Sequence, residues 1–148
     1  MRLLFFGDVI GRTGRTALGD HLPGLIRTLG ADFVVVNGEN AAGGFGITLD
    51  IARDFFSLGV DVITTGNHVW DQRELLEQID NEPRVLRPAN YPASTPGNGS
   101  GLYVARDGSK VFVVNVLGRL FMDSLDDPFQ AVERELTRIP MGLGADVS

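Results

Sequence analysis

Cysteine is absent from the chain, which excludes disulfides, thiolate zinc sites and a cysteine nucleophile and agrees with a cytoplasmic location. Positive charge is scarce: 13 Lys and Arg stand against 19 Asp and Glu, a formal charge of −6. Nucleic-acid binders usually carry a basic face, so no nucleic-acid polymer is expected as a partner. A small phosphate ester held through bound cations stays open, because a bound ion is often the largest local charge. No apolar run approaches the roughly 20 residues of a membrane span. The opening residues 1–6 are too short for a signal-peptide core and are interrupted by Gly7-Asp8. With 148 residues, 43% of them hydrophobic, the chain has enough apolar side chains for one domain around one core.

What is present alternates between strand and helix patterns. Residues 3–6 and 32–36 are short apolar runs of the kind buried on both faces of a parallel sheet. Between them, residues 11–29 carry helical spacing in Leu18, Leu22, Leu25, Ile26 and Leu29, with Pro23 predicting a kink or a split into two helices. Thr48 is placed to cap a helix through Leu58, with Asp50 in its first turn. A third strand spans 60–65. Asp71 and Glu74 have the spacing of a capping box for the helix that follows. Val85-Leu86 is a short strand, and Asp107-Gly108 joins 102–105 to 110–116 as a hairpin. A helix from about Pro128 to Arg138 closes the pattern.

One phrase recurs. Leu29-Gly30-Ala31-Asp32 and Leu58-Gly59-Val60-Asp61 each lead from a helix into a strand, and Leu143-Gly144-Ala145-Asp146 repeats them just before Ser148. Glycine in the first two suits a helix C-terminal cap. By that grammar residues 1–148 are the N-terminal part of a single longer domain, and a sheet left with an open edge favours association between copies.

Strand–helix alternation implies parallel strands joined by right-handed crossovers, whose carboxyl ends share one rim. Asp8 follows the first strand, Glu39 and Asn40 the second, and Asn67 and His68 the third. Carboxylates gathered there would repel unless a cation lay between them. Carboxylate and amide oxygens suit hard or borderline divalent ions, and imidazole suits iron or zinc. Glu39 has two oxygens with which to bridge a pair of ions. Such a pair can activate water and polarise a phosphoryl oxygen for in-line displacement, with His68 protonating the departing oxygen. Each residue also has a plainer reading: Asp8, Asn40 and Asn67 as turn or cap residues, His68 as a structural hydrogen-bonder, Asp71 as a helix cap. Asp32, Asp61 and Asp146 fall at the opposite edge and read as turn residues, and His21 has no assigned role. The glycines of 7–14 fit neither a P-loop nor a dinucleotide fingerprint, although Arg12 or Arg15 near a helix start can reach a phosphate.

Gly7-Asp8-Val9-Ile10-Gly11, Gly38-Glu39-Asn40 and Gly66-Asn67-His68-Val69-Trp70-Asp71 together resemble the calcineurin-like metallophosphoesterases, and within them the bacterial YmdB-type branch. Arg87-Pro88-Ala89-Asn90-Tyr91-Pro92 and Gly118-Arg119-Leu120-Phe121-Met122 resemble further stretches in the same order. The resemblance implies an α/β fold, the αββα metallophosphoesterase sandwich, of which this chain carries a parallel βαβαβ half and a β-hairpin. It implies a hydrolase with a binuclear iron- or manganese-type centre acting on small phosphodiesters such as 2′,3′-cyclic nucleotides. Asp8, Glu39, Asn40 and Asn67 would then be metal ligands, with Glu39 bridging, and His68 the proton donor. The family completes its site with later histidines, and none follows His68 here. A rival reading is a non-catalytic module that binds a phosphorylated ligand.

Overall fold

A computed structural model describes residues 1–122 and 124–147. Four strands, β1 (Leu3–Phe6), β2 (Phe33–Asn37), β3 (Val62–Thr64) and β4 (Val85–Leu86), form one parallel sheet in the order β1-β2-β3-β4. The connections carry α1 (Gly11–Leu29), α2 (Leu49–Ser57) and α3 (Arg73–Gln78). Because strand order follows chain order, same-handed crossovers put these helices on one face. β5 (Ser100–Val104) and β6 (Lys110–Val114) pair antiparallel as a separate two-stranded layer, turned at Gly108, whose φ is 87°.

Period-two alternation along the buried strands separates the two faces. Val34, Val36, Ile63 and Val85 pack with Leu18, Leu22, Ala52, Phe55 and Leu75 of the helices. Their neighbours Phe33, Val35, Val62 and Leu86 pack with Ala105, Val111, Tyr103 and Val113 of the hairpin. A parallel sheet needs both faces covered, and β2 to β4 have that cover. On β1 the hairpin side is bare: Leu3 and Phe5 stay exposed along a groove of about 420 Å³ that also touches Val35, Phe112, Val114 and Val147. Among the described residues no helix is long and apolar enough to cross a membrane.

The recurring Gly-x-Asp phrase has a physical role at the amino edge of the sheets. Asp32 accepts the backbone N–H of Arg2 at 2.6 Å, Asp61 that of Val34 at 2.7 Å, and Asp146 that of Lys110 at 2.8 Å. In each case a carboxylate takes an N–H within one residue of the start of the neighbouring strand, where a backbone donor needs a partner. Gly30, at φ 58°, forms the left-handed cap of α1. The third copy follows a turn instead of a helix end, since α4 (Pro128–Arg138) stops earlier. Even so, Val147 bridges Val111 in parallel.

Two sequence expectations change. α1 runs as one helix through Pro23, so the split into two does not occur; buried Leu18 and Leu22 hold it to the sheet against the roughly 3 kcal/mol that an interior proline costs. Asp71 does not cap α3, which starts behind Gln72 without any side-chain capping bond; its carboxylate is engaged by His68. Arg15 donates to the Ala41 carbonyl and so holds the glycine-rich loop. Thr48 caps α2 through the Ile51 N–H, as its position predicts.

Candidate functional site

The chain leaves β1 through Gly7 and bends at Asp8, a non-glycine residue at φ 41°. Such a conformation is uncommon, though aspartate tolerates it better than most residues. The bend is fixed from the neighbouring segment: Val9 N–H donates to Asn37 O at 3.0 Å and Gly11 N–H to Asn40 O at 2.9 Å. The first and second strand ends are thereby tied together. Asn40 Nδ2 donates to Asp8 Oδ1 at 2.6 Å, so the other atom of that side-chain amide, Oδ1, is the one suited to a cation.

Glu39 lies between the second and third strand ends. Its Oε2 is buried and is, among the described residues, the one such side-chain atom without a hydrogen-bond partner. Oε1 has only a 3.5 Å contact with Asn37 Nδ2. The carboxylate rests against Gly66 so closely that a Cβ there would lie 2.0 Å from Oε2. A buried carboxylate oxygen without a donor is costly, and a bound cation is the partner that would offset the cost. Oxygen donors on Asp8, Glu39, Asn40 and Asn67 fit a hard or borderline ion. Among the described residues no three of His, Cys, Asp and Glu cluster as a metal site, so the rim offers two carboxylates supplemented by amides.

Asn67 follows Gly66 and is exposed. His68 bonds to neither Asp8 nor Glu39: its Nδ1 lies 2.6 Å from Asp71 Oδ2, and its ring meets Phe45 edge-to-face at 5.5 Å. The structure thus links Asp8 to Asn40 and Glu39 to the Gly66 turn. It sets Asn67 and His68 at the same strand end without a bond from either to those carboxylates.

Two asparagines missed in the sequence build the rim from behind. Asn37, the last residue of β2, accepts the Glu39 N–H at 3.3 Å. Asn115, just past β6, donates from Nδ2 to Thr65 O at 2.8 Å and Leu86 O at 3.0 Å, clamping the hairpin to the ends of β3 and β4. Neither has a local spacing that marks it. Farther along, Arg87 donates to the carbonyls of Pro88, Thr95 and Pro96; burial pulls its guanidinium below the usual value, partly offset by Glu135 and Asp80. Asn90 is bonded to Leu117 and Asp126. The 87–97 loop is therefore held by Arg87 on the loop's own carbonyls and by Asn90 on the backbone of Leu117 and Asp126.

A family model described as YmdB-like protein matches residues 4–146. The chain is 45% identical over 129 residues to a 2′,3′-cyclic-nucleotide 2′-phosphodiesterase of Bacillus subtilis, covering 87% of this chain and 48% of that protein. A putative phosphatase/phosphodiesterase of Mycoplasma genitalium is 34% identical over 122 residues, 80% of this chain and 43% of that one. Among solved structures, a hypothetical protein from Thermus thermophilus superposes with a TM-score of 0.85 at 43% identity, over 93% of this chain and 53% of its own. A novel phosphatase from Mycoplasma pneumoniae gives 0.82 at 30% identity, over 92% and 50%. The chain spans about half the length of the curated relatives it matches.

Proposed function

Because this chain belongs to the YmdB-like protein family, we propose that it supplies part of the active site of a metal-dependent phosphodiesterase. The substrates in this reading are small phosphodiesters, 2′,3′-cyclic nucleotides among them. The name of the Bacillus relative supports that class. The observation that carries the reading is the buried, unpartnered Oε2 of Glu39 beside the Asp8–Asn40 pair. Asp8, Glu39, Asn40 and Asn67 are proposed as ligands of two ions, iron or manganese, with Glu39 shared between them. Ions held there would supply Lewis-acid charge toward a phosphoryl group. His68 is the proposed proton donor to the leaving oxygen. Residues 1–148 are proposed as the N-terminal part of one such domain, with further ligands supplied by the half of the relatives that this chain does not span.

Glu39→Gln tests this in the full chain. The expected result is a loss of metal affinity larger than the roughly 10–100-fold that removing an outer-shell partner costs, with hydrolysis of 2′,3′-cyclic nucleotides lost in step and circular dichroism unchanged. Normal metal content and turnover in the variant would overturn the assignment. So would phosphate-ester binding that survives chelation without any hydrolysis; that result is the signature of a non-catalytic binding module.

A further inference from the structure

Asp71 has no task in the helix it precedes. α3 begins two residues later, behind Gln72. Instead, two successive turns, Val69 N–H to Gly66 O at 3.2 Å and Asp71 N–H to His68 O at 3.1 Å, curl the segment until the Asp71 carboxylate reaches His68 Nδ1 at 2.6 Å. The ring is restrained from a second side. Phe45 meets it edge-to-face, and the Phe45 carbonyl is tied down by Gln72 Nε2 at 2.7 Å. A Cβ on Gly46 would come within 3.0 Å of the His68 carbonyl, so the glycine-rich loop packs directly on this turn. The His68 side chain nonetheless keeps about a third of its surface open, at 32%.

We propose that Asp71 is the positioning residue of His68. It holds Nδ1 as the donor to its carboxylate and leaves Nε2 as the nitrogen that faces the substrate. The inference rests on the reading of His68 as proton donor. In the step it serves, a P–O bond to water forms as the bond to the leaving oxygen breaks. That oxygen takes the Nε2 proton of the imidazolium, which leaves the neutral ring with its proton on Nδ1. The water gives up a proton to solvent, from which the imidazole later regains its own. The carboxylate stays ionised throughout and fixes tautomer and ring plane.

The test uses Asp71→Asn and His68→Ala in the full chain, with two readouts. The first is the ¹⁵N shifts of the His68 ring in metal-free protein, at a pH where the imidazole is neutral. The wild type is expected in the Nδ1–H form and Asp71→Asn without that preference. The second compares a 2′,3′-cyclic nucleotide, whose alkoxide must be protonated to leave, with bis-nitrophenyl phosphate, whose phenolate need not be. Asp71→Asn is expected to lower kcat for the cyclic nucleotide about 10–100-fold at nearly constant KM, with the aryl diester slowed far less. A wild-type ring in the Nε2–H form, or equal losses on both substrates, overturns the inference. If His68→Ala slows the cyclic nucleotide but Asp71→Asn matches wild type, positioning alone fails. If His68→Ala has no effect, the proton-donor reading falls and takes the inference with it.

Discussion

A Cβ at position 66 would lie 2.0 Å from Glu39 Oε2 and 2.6 Å from its Cδ, so the third strand end shapes the carboxylate offered by the second. Gly66→Ala is therefore expected to push the Glu39 carboxylate aside without disturbing the core. Metal affinity should fall about 10–100-fold while the melting temperature stays close to wild type. Calorimetric titration of Mn²⁺ alongside thermal denaturation separates the two; unchanged affinity would mean that Glu39 is not a ligand. Spacing in the sequence brings Asp8, Glu39 and Asn67 to one rim, because each follows a strand that ends in a glycine turn. It cannot show Asn115, whose bond to Thr65 O crosses 50 residues. It also misplaces Asp71: Asp-x-x-Glu is a local helix-start signal, but a neighbouring imidazole outcompetes the helix for that carboxylate.

The hairpin is the element whose attachment is least visible in the sequence. Its strands can be read from Asp107-Gly108, but their docking depends on long-range bonds. Arg106 donates to Asp61 Oδ2 and to the carbonyls of Asp32 and Gly59. Tyr103 packs on Phe33 at 6.1 Å and donates its hydroxyl to Pro83 O at 2.7 Å. Burial, then the nearby Glu82 charge, pushes the Tyr103 hydroxyl up to about 12, from an ordinary value near 10. The folded state thus keeps a proton that the unfolded chain gives up first. The resulting stabilisation is complete below about pH 10 and is lost as pH rises toward 12. Alkaline unfolding followed by tyrosinate absorbance is expected to show that loss. Tyr103→Phe should flatten it, at a cost of about 1 kcal/mol for the missing hydrogen bond at neutral pH. A wild-type tyrosine titrating near 10 in the folded protein would contradict the burial argument.

Across the whole molecule, a helix layer, a parallel sheet and a hairpin layer enclose two cores, but the hairpin side of β1 has no cover. Leu3 and Phe5 are 44% and 61% exposed on a strand whose outer edge has no partner strand among the described residues. Bare apolar sheet edges pair with other copies. The 1–148 chain is expected to self-associate with rising concentration, and Phe5→Lys to reduce this without loss of secondary structure. Sedimentation velocity measures it; a wild-type monomer at high concentration would refute it. The strands, the helices and the parallel pairing were legible because apolar runs and helical spacing are local patterns, whereas strand order and the gap over β1 are properties of what packs across the chain. Two carboxylates at the amino edge of the parallel sheet carry a different consequence. Asp32 and Asp61 each measure one ribbon against its neighbour from the floor of that sheet. Since a strand advances about 3.3 Å per residue and alternates sides, slippage by a single residue at that floor would deliver the wrong side chain to the opposite end. The heights of Asp8, Glu39 and Asn67 are surveyed from a datum at the far edge of the sheet, where no chemistry is done.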